Sequence, residues 1–198
     1  MTEKEKMLAG LAYLPRDPEL MEMHHRARKF MREFNSLDSK SFSKKQKIMK
    51  EYLGTVGENV WIEAPFYCDY GENIHIGEGS FVNMNCVFLD VNPILIGKNT
   101  LIAPSVQIYT AYHPKFSKDR ILWNESGRSE YITLGKRVEI GSQTWIGGGV
   151  IILPGVKIGD QVTVGAGSVV TKDIPSGSIA IGNPCVVVGG DPSLEKSL

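Results

Sequence analysis

The chain has 198 residues, 42% of them hydrophobic, and its 22 basic and 22 acidic side chains leave a formal net charge of zero. That length suits one sizeable core rather than two. The charge balance offers no basic excess to a phosphate backbone, and no apolar run approaches the ~20 residues of a membrane-spanning helix, so neither nucleic acid nor a membrane is expected as a partner.

The N-terminus carries Glu3, Lys4, Glu5 and Lys6 with no apolar segment behind them. It does not read as a secretory signal, and a cytoplasmic location is expected. Residues 1–53 read as a helical segment. From Asp17 to Asn35 the apolar residues Leu20, Met23, Ala27, Phe30, Met31 and Phe34 recur at helical spacing, with Asp17 as cap and Pro18 in the first turn. A second helix is expected from Lys44 to Leu53, stopping before Gly54.

Residues 54–188 follow another rhythm. Leu134, Ile140, Ile146, Ile152, Ile158, Val164 and Val170 recur at every sixth position, and a compact residue follows each by four: Val138, Thr144, Val150, Val156, Val162, Ser168 and Ile174. Upstream, Tyr70, Ile76, Val82 and Phe88 keep the count, which gains two residues near Asn92 and Pro93 and resumes at Ile96, Ile102 and Ile108, giving fourteen hexads. Neither a helix nor a half-wet sheet has this period. It is the signature of a parallel β-helix, in which each short strand forms one face of a coil and neighbouring coils bury the interior. At three hexads per coil, four to five coils are expected. Residues 114–133 break the rhythm and read as an extruded loop of a length often tied to function. Residues 189–198 read as a flexible tail.

Cys68, Cys86 and Cys185 are too few and too widely spaced for a disulfide framework and read as reduced thiols, the first two packed inward. His24 and His25 read as part of a solvated basic face with Arg26, Arg28 and Lys29, and His75 occupies an outward position. Only His75 and His113 lie in the coil, too few for a three-histidine zinc site, so no metal requirement is expected. His113 stands where coil meets loop, before the rigid Pro114. Imidazole can accept a proton near neutral pH, which makes His113 the candidate general base.

The motifs Lys6-Met7-Leu8-Ala9-Gly10, Asp17-Pro18-Glu19-Leu20, Asn83-Met84-Asn85-Cys86, Ile108-Tyr109-Thr110-Ala111-Tyr112-His113-Pro114, Trp145-Ile146-Gly147-Gly148 and Gly182-Asn183-Pro184 resemble the maltose and galactoside O-acetyltransferase family, which includes nodulation-factor acetyltransferases. The resemblance covers residues 5 to about 188. It implies a mainly β fold, a left-handed parallel β-helix of hexapeptide repeats, assembled as a homotrimer with acetyl-coenzyme A between subunits. It further implies direct attack by an acceptor hydroxyl, with His113 as base, Asn83 beside it and the Gly148 amide facing the oxyanion. Asp69, Phe81 and Asp90 match acceptor-binding positions; Trp145, Ala166, Thr171 and Lys172 match the cofactor groove. The family's arginines after the Asn-Pro turn are replaced by Val186-Val187-Val188, which leaves Lys172 or Lys157 to meet phosphate. His24 stands at an acceptor-contacting arginine position. N-acetylation of an amino-sugar or antibiotic, and a binding scaffold without catalysis, remain as alternatives.

Overall fold

The computed structural model describes residues 1–190; Asp191 to Leu198, most of the expected tail, lie outside the described residues. Three helices come first. α1 (Glu3–Leu8), which the sequence reading does not anticipate, opens on a reciprocal cap in which Thr2 Oγ1 accepts from the Glu5 amide at 3.1 Å and the Glu5 carboxylate accepts from the Thr2 amide at 2.8 Å. α2 (Pro18–Asn35) is capped by Asp17, whose Oδ1 accepts from the Glu19 amide at 3.0 Å, and it buries the predicted stripe from Leu20 to Phe34. α3 (Phe42–Tyr52) starts two residues before the expected Lys44.

The rest winds into a prism of three parallel sheets. Face I stacks Thr55–Val56, Ile74–Ile76, Ile94–Ile96, Val138–Ile140 and Lys157–Ile158. Face II stacks Trp61–Ile62, Phe81–Val82, Leu101–Ile102, Trp145–Ile146, Thr163–Val164 and Ser178–Ile181. Face III stacks Phe66–Cys68, Cys86–Leu89, Gln107–Tyr109, Ile151–Ile152 and Val169–Val170. Both inward sets of the hexad fill the interior: Ile102, Ile146 and Val164 lie in register, and Val138, Thr144, Val150, Val156, Val162, Ser168 and Ile174 are all buried. Coils stack at ~4.8 Å, which explains the glycines after the aliphatic residues. A Cβ on Gly141 would lie 2.4 Å from the carbonyl carbon of Gly159.

The coil count and register differ from the sequence reading. There are five complete coils and a partial sixth, because a first coil runs from Thr55 to Cys68 and Ser178–Ile181 extends face II. Tyr70 belongs to no strand, and Leu134 pairs antiparallel with Tyr112 instead of stacking in a coil. The cause lies at one corner. Ile76 follows Cys68, and Ile96 follows Phe88, by eight residues instead of six, and the long excursion before Ile140 leaves from the same place. Every lengthened turn therefore piles up where face III passes to face I.

The helices close the N-terminal end of the prism. Phe66 packs edge-on to Phe88 at 5.1 Å and to Phe30 of α2 at 6.5 Å, joining helical and coil interiors in one core. The 114–133 excursion is folded, with α4 (Ser117–Arg120) and a hairpin that pairs Ile121–Trp123 with Ser129–Tyr131. Val186–Gly190 returns antiparallel on Ser178–Ile181, so Gly189 and Gly190, expected in the flexible tail, pair with Ile179 and Ser178.

Candidate active site

The lengthened corner makes a pocket of about 460 Å³, walled by the N-terminal segment, the corner turns and the loop. Tyr13, Arg16, Met21, His24, Asp69, Tyr70, Leu89, His113 and Tyr131 are among its lining. Of the residues singled out from sequence, His113, Asp69 and His24 meet here. Tyr13, Arg16 and Tyr131 carry no motif of their own and emerge only from tertiary packing, while Tyr70, read from sequence as a hexad position, lines the pocket instead.

His113 is held by the loop it begins. Its Nδ1 lies 2.7 Å from the Ile132 carbonyl oxygen, and the Tyr131 ring meets the imidazole edge-on at 5.7 Å. A carbonyl only accepts, so Nδ1 carries a proton, and in the neutral ring the free lone pair is on Nε2. The backbone thus selects the tautomer a general base requires.

Beneath the pocket floor, Asp90 organises the turn. It is fully buried, its Oδ1 accepts from the Asp69 and Tyr70 amides at 3.0 and 2.9 Å, and Oδ2 accepts from Asn73 at 3.3 Å. Asp90 is absent from the pocket lining; its oxygens are occupied by backbone, so in the single chain it positions Asp69 and Tyr70 instead of facing an acceptor. Burial pushes its carboxyl up to about 7 against the Tyr70 amide, with Asp69 adding to the rise. Asp69, half-buried, is raised by burial and opposed by Arg28, which stands 3.8 Å away. Arg28 also donates to the Cys68 carbonyl at 2.7 Å and approaches His24 Nδ1 at 3.4 Å. Since arginine only donates, His24 Nδ1 accepts and its Nε2 keeps the proton. Burial, then Arg28 and His25, lower the His24 pKa, so this residue is a neutral pocket wall and not part of a solvated basic face. Cys68 and Cys86 are buried, and burial pushes the Cys86 thiol up to about 11, which suits packing and not nucleophilicity.

The other sequence-selected residues lie elsewhere. Asn83 and Gly148 sit at the corner from face II to face III, where turns stack through Ser105 N to Met84 O, Gly149 N to Pro104 O and Gly167 N to Gly148 O, all 2.9–3.0 Å. Ala166 belongs to the same column. Among the described residues the Gly148 amide has no backbone acceptor. Phe81 and Trp145 stand on the outer surface of face II in a row that reads Trp61, Phe81, Leu101, Trp145, Thr163, Ile179, with Trp145 and Leu101 half-exposed. Thr171 and Lys172 are exposed at the corner from face III to face I, below the His113 coil. Asn83 and His113 flank opposite ends of face III, separated by the strand Cys86–Leu89, about 13 Å at ~3.3 Å per residue. One chain therefore does not bring them to a common point.

A prism of hexapeptide coils, capped by helices and opened at one corner onto a histidine-bearing pocket, defines a hexapeptide-repeat acyltransferase. Residues 6–57 match the maltose acetyltransferase hexapeptide capping motif, and residues 137–172 match the bacterial transferase hexapeptide model of six repeats. Nodulation protein L of Rhizobium meliloti is 47% identical over 188 residues, which cover 95% of this chain and 98% of that protein. A maltose O-acetyltransferase from Clostridium difficile 630 superposes with a TM-score of 0.89 at 48% identity, covering 96% of this chain and 97% of the other. A galactoside acetyltransferase solved in complex with coenzyme A gives 0.88 at 36% identity, covering 100% of this chain and 95% of the other. The chain belongs to the maltose and galactoside O-acetyltransferase family and is an acetyltransferase of that type.

Proposed function

We propose that this protein moves an acetyl group from acetyl-coenzyme A to a hydroxyl of a sugar or similar small molecule, in homotrimers whose active sites lie between copies. The observation that carries the chemistry is the His113 Nδ1 contact with the Ile132 carbonyl at 2.7 Å, at the rim of the corner pocket. In the reaction, His113 Nε2 takes the acceptor hydroxyl proton as the oxygen attacks the thioester carbonyl. The tetrahedral oxyanion accepts from the unpaired Gly148 amide of a neighbouring copy; collapse expels the coenzyme A thiolate, which recovers the proton from the imidazolium. Atoms and charge balance without an acyl-enzyme. A base so placed contributes about 100–10,000-fold, and oxyanion donors add to it.

The division of residues supports sharing between copies. Asn83, Gly148, Ala166, Phe81 and Trp145 belong to face II and its trailing corner, whereas His113, Asp69, Thr171 and Lys172 belong to the opposite corner of face III. Setting one copy's outer face II against the next copy's pocket corner unites the two sets and covers the apolar row containing Phe81, Leu101 and Trp145. The coenzyme A bound by the solved galactoside acetyltransferase supports the donor assignment. For the phosphates, Lys157 is engaged by Glu139 at 3.7 Å, while Lys172 has no ion pair among the described residues and is the cation assigned to them. Coenzyme A thiol release, followed over a panel of sugar alcohols, reducing sugars and amino-sugars, tests this reading. Release with hydroxyl acceptors supports it; release with amines alone replaces it with N-acetylation.

A further inference from the structure

The buried polar side chains of the coil are matched to partners. Asn92 donates to the carbonyls of Met7 and Leu8, Thr110 to Leu89, Thr100 to Gly141 and Thr144 to Gly159. Two hydroxyls break this pattern. Tyr13 Oη and Thr133 Oγ1 are the buried side-chain polar atoms without a partner among the described residues, in side chains only 1% and 4% exposed. They are neighbours: the Tyr13 amide donates to the Thr133 carbonyl at 3.0 Å and the Thr133 amide to the Tyr13 carbonyl at 3.1 Å. Both residues line the His113 pocket. This bridge joins the N-terminal segment to the end of the excursion, and both unpaired groups belong to residues of the pocket wall.

Orphaned buried hydroxyls are costly and call for a cause. We propose that Tyr13 and Thr133 recognise a second hydroxyl of a neutral, polyhydroxylated acceptor, distinct from the one acetylated, and so determine specificity. The assignment rests on the hydroxyl-acceptor reading above. A hydroxyl both donates and accepts, and two such groups on paired residues are matched by another hydroxyl. Asp69 and Arg16 stand in the same lining, so the pocket presents both signs of charge and no excess that selects an anion or a cation. Burial raises the Tyr13 phenol well above its ordinary range, so it stays a donor at all working pH values.

Tyr13→Phe and Thr133→Val remove one oxygen each and keep the shape. Initial rates of thiol release are measured with glucose, galactose and maltose and with their monodeoxy analogues, and melting temperatures are taken on the same proteins. Each variant is expected to raise acceptor KM about tenfold with kcat changed less than about twofold. The penalty should vanish on the one analogue lacking the recognised hydroxyl. Each variant should also melt about 2–4 °C higher, because an unsatisfied buried group has gone. A fall in melting temperature, as when the hydroxyls hold structural water, overturns the assignment, and so does an unchanged acceptor preference. A wild type that acetylates none of these sugars overturns the sugar reading itself, and this assignment with it.

Discussion

Asp90→Asn tests how the corner is held together. Burial under the Asp69–Asn73 turn pushes the wild-type carboxyl up from its ordinary 3.8 to about 7. Its folded-state pKa is raised, so between those values the folded protein binds more protons than the unfolded chain, and stability falls as pH rises. Taking ~1.4 kcal/mol per pH unit, the penalty is roughly 2 kcal/mol at pH 5 and roughly 4 kcal/mol at pH 8. Asparagine keeps an oxygen for the Asp69 and Tyr70 amides, loses the weaker Asn73 bond and does not titrate. Wild type should therefore lose about 2–3 kcal/mol more than Asp90→Asn between pH 5 and pH 8, some 5–10 °C in melting temperature. The variant is the weaker protein at pH 5 and approaches or passes wild type at pH 8. Thermal melts at both pH values and one protein concentration supply the check. Parallel pH profiles for the two proteins would refute the reasoning.

Three further outcomes follow from the geometry. Gly141→Ala forces a Cβ to within 2.4 Å of the Gly159 backbone and should cost at least about 1–3 kcal/mol in urea unfolding, whereas a neutral result would mean that the coils part freely. Trp145→Ala should weaken acetyl-coenzyme A binding about tenfold by calorimetry, since its half-exposed indole offers the stacking surface; unchanged affinity would remove it from the donor site. Refolding inactive His113→Ala and Asn83→Ala chains together at equal amounts should restore about one quarter of wild-type turnover, because one site in four then draws both intact residues from adjacent copies. No recovery would return the site to a single chain.

Much of the prism was legible because its physics is one-dimensional: each coil repeats the same burial, so Ile146, Ile152 and Val164 could be placed from spacing alone. The register failed where that repetition fails. Tyr70 kept the count of six only because two inserted residues beside it mimic a hexad, and structure moves the true inward position to Cys68. The hairpin inside the excursion left a sequence trace, two short runs around Asn124 to Gly127, that the loss of the hexad overshadowed. The pocket was the least legible part. His24 lies on the polar side of α2, and only the docking of that helix against the corner turns it into a pocket wall. Tyr13 and Thr133, 120 residues apart, have no local signal that joins them.

In the proposed reaction the His113 imidazole accepts the acceptor proton in a pocket shared by copies. The most direct measurement is turnover of His113→Ala on an acceptor that wild type acetylates, with acetyl-coenzyme A affinity measured on the same sample. A kcat lowered about 100–10,000-fold, with donor affinity within about threefold of wild type, is expected if His113 is the base. Turnover near the wild-type rate would contradict it.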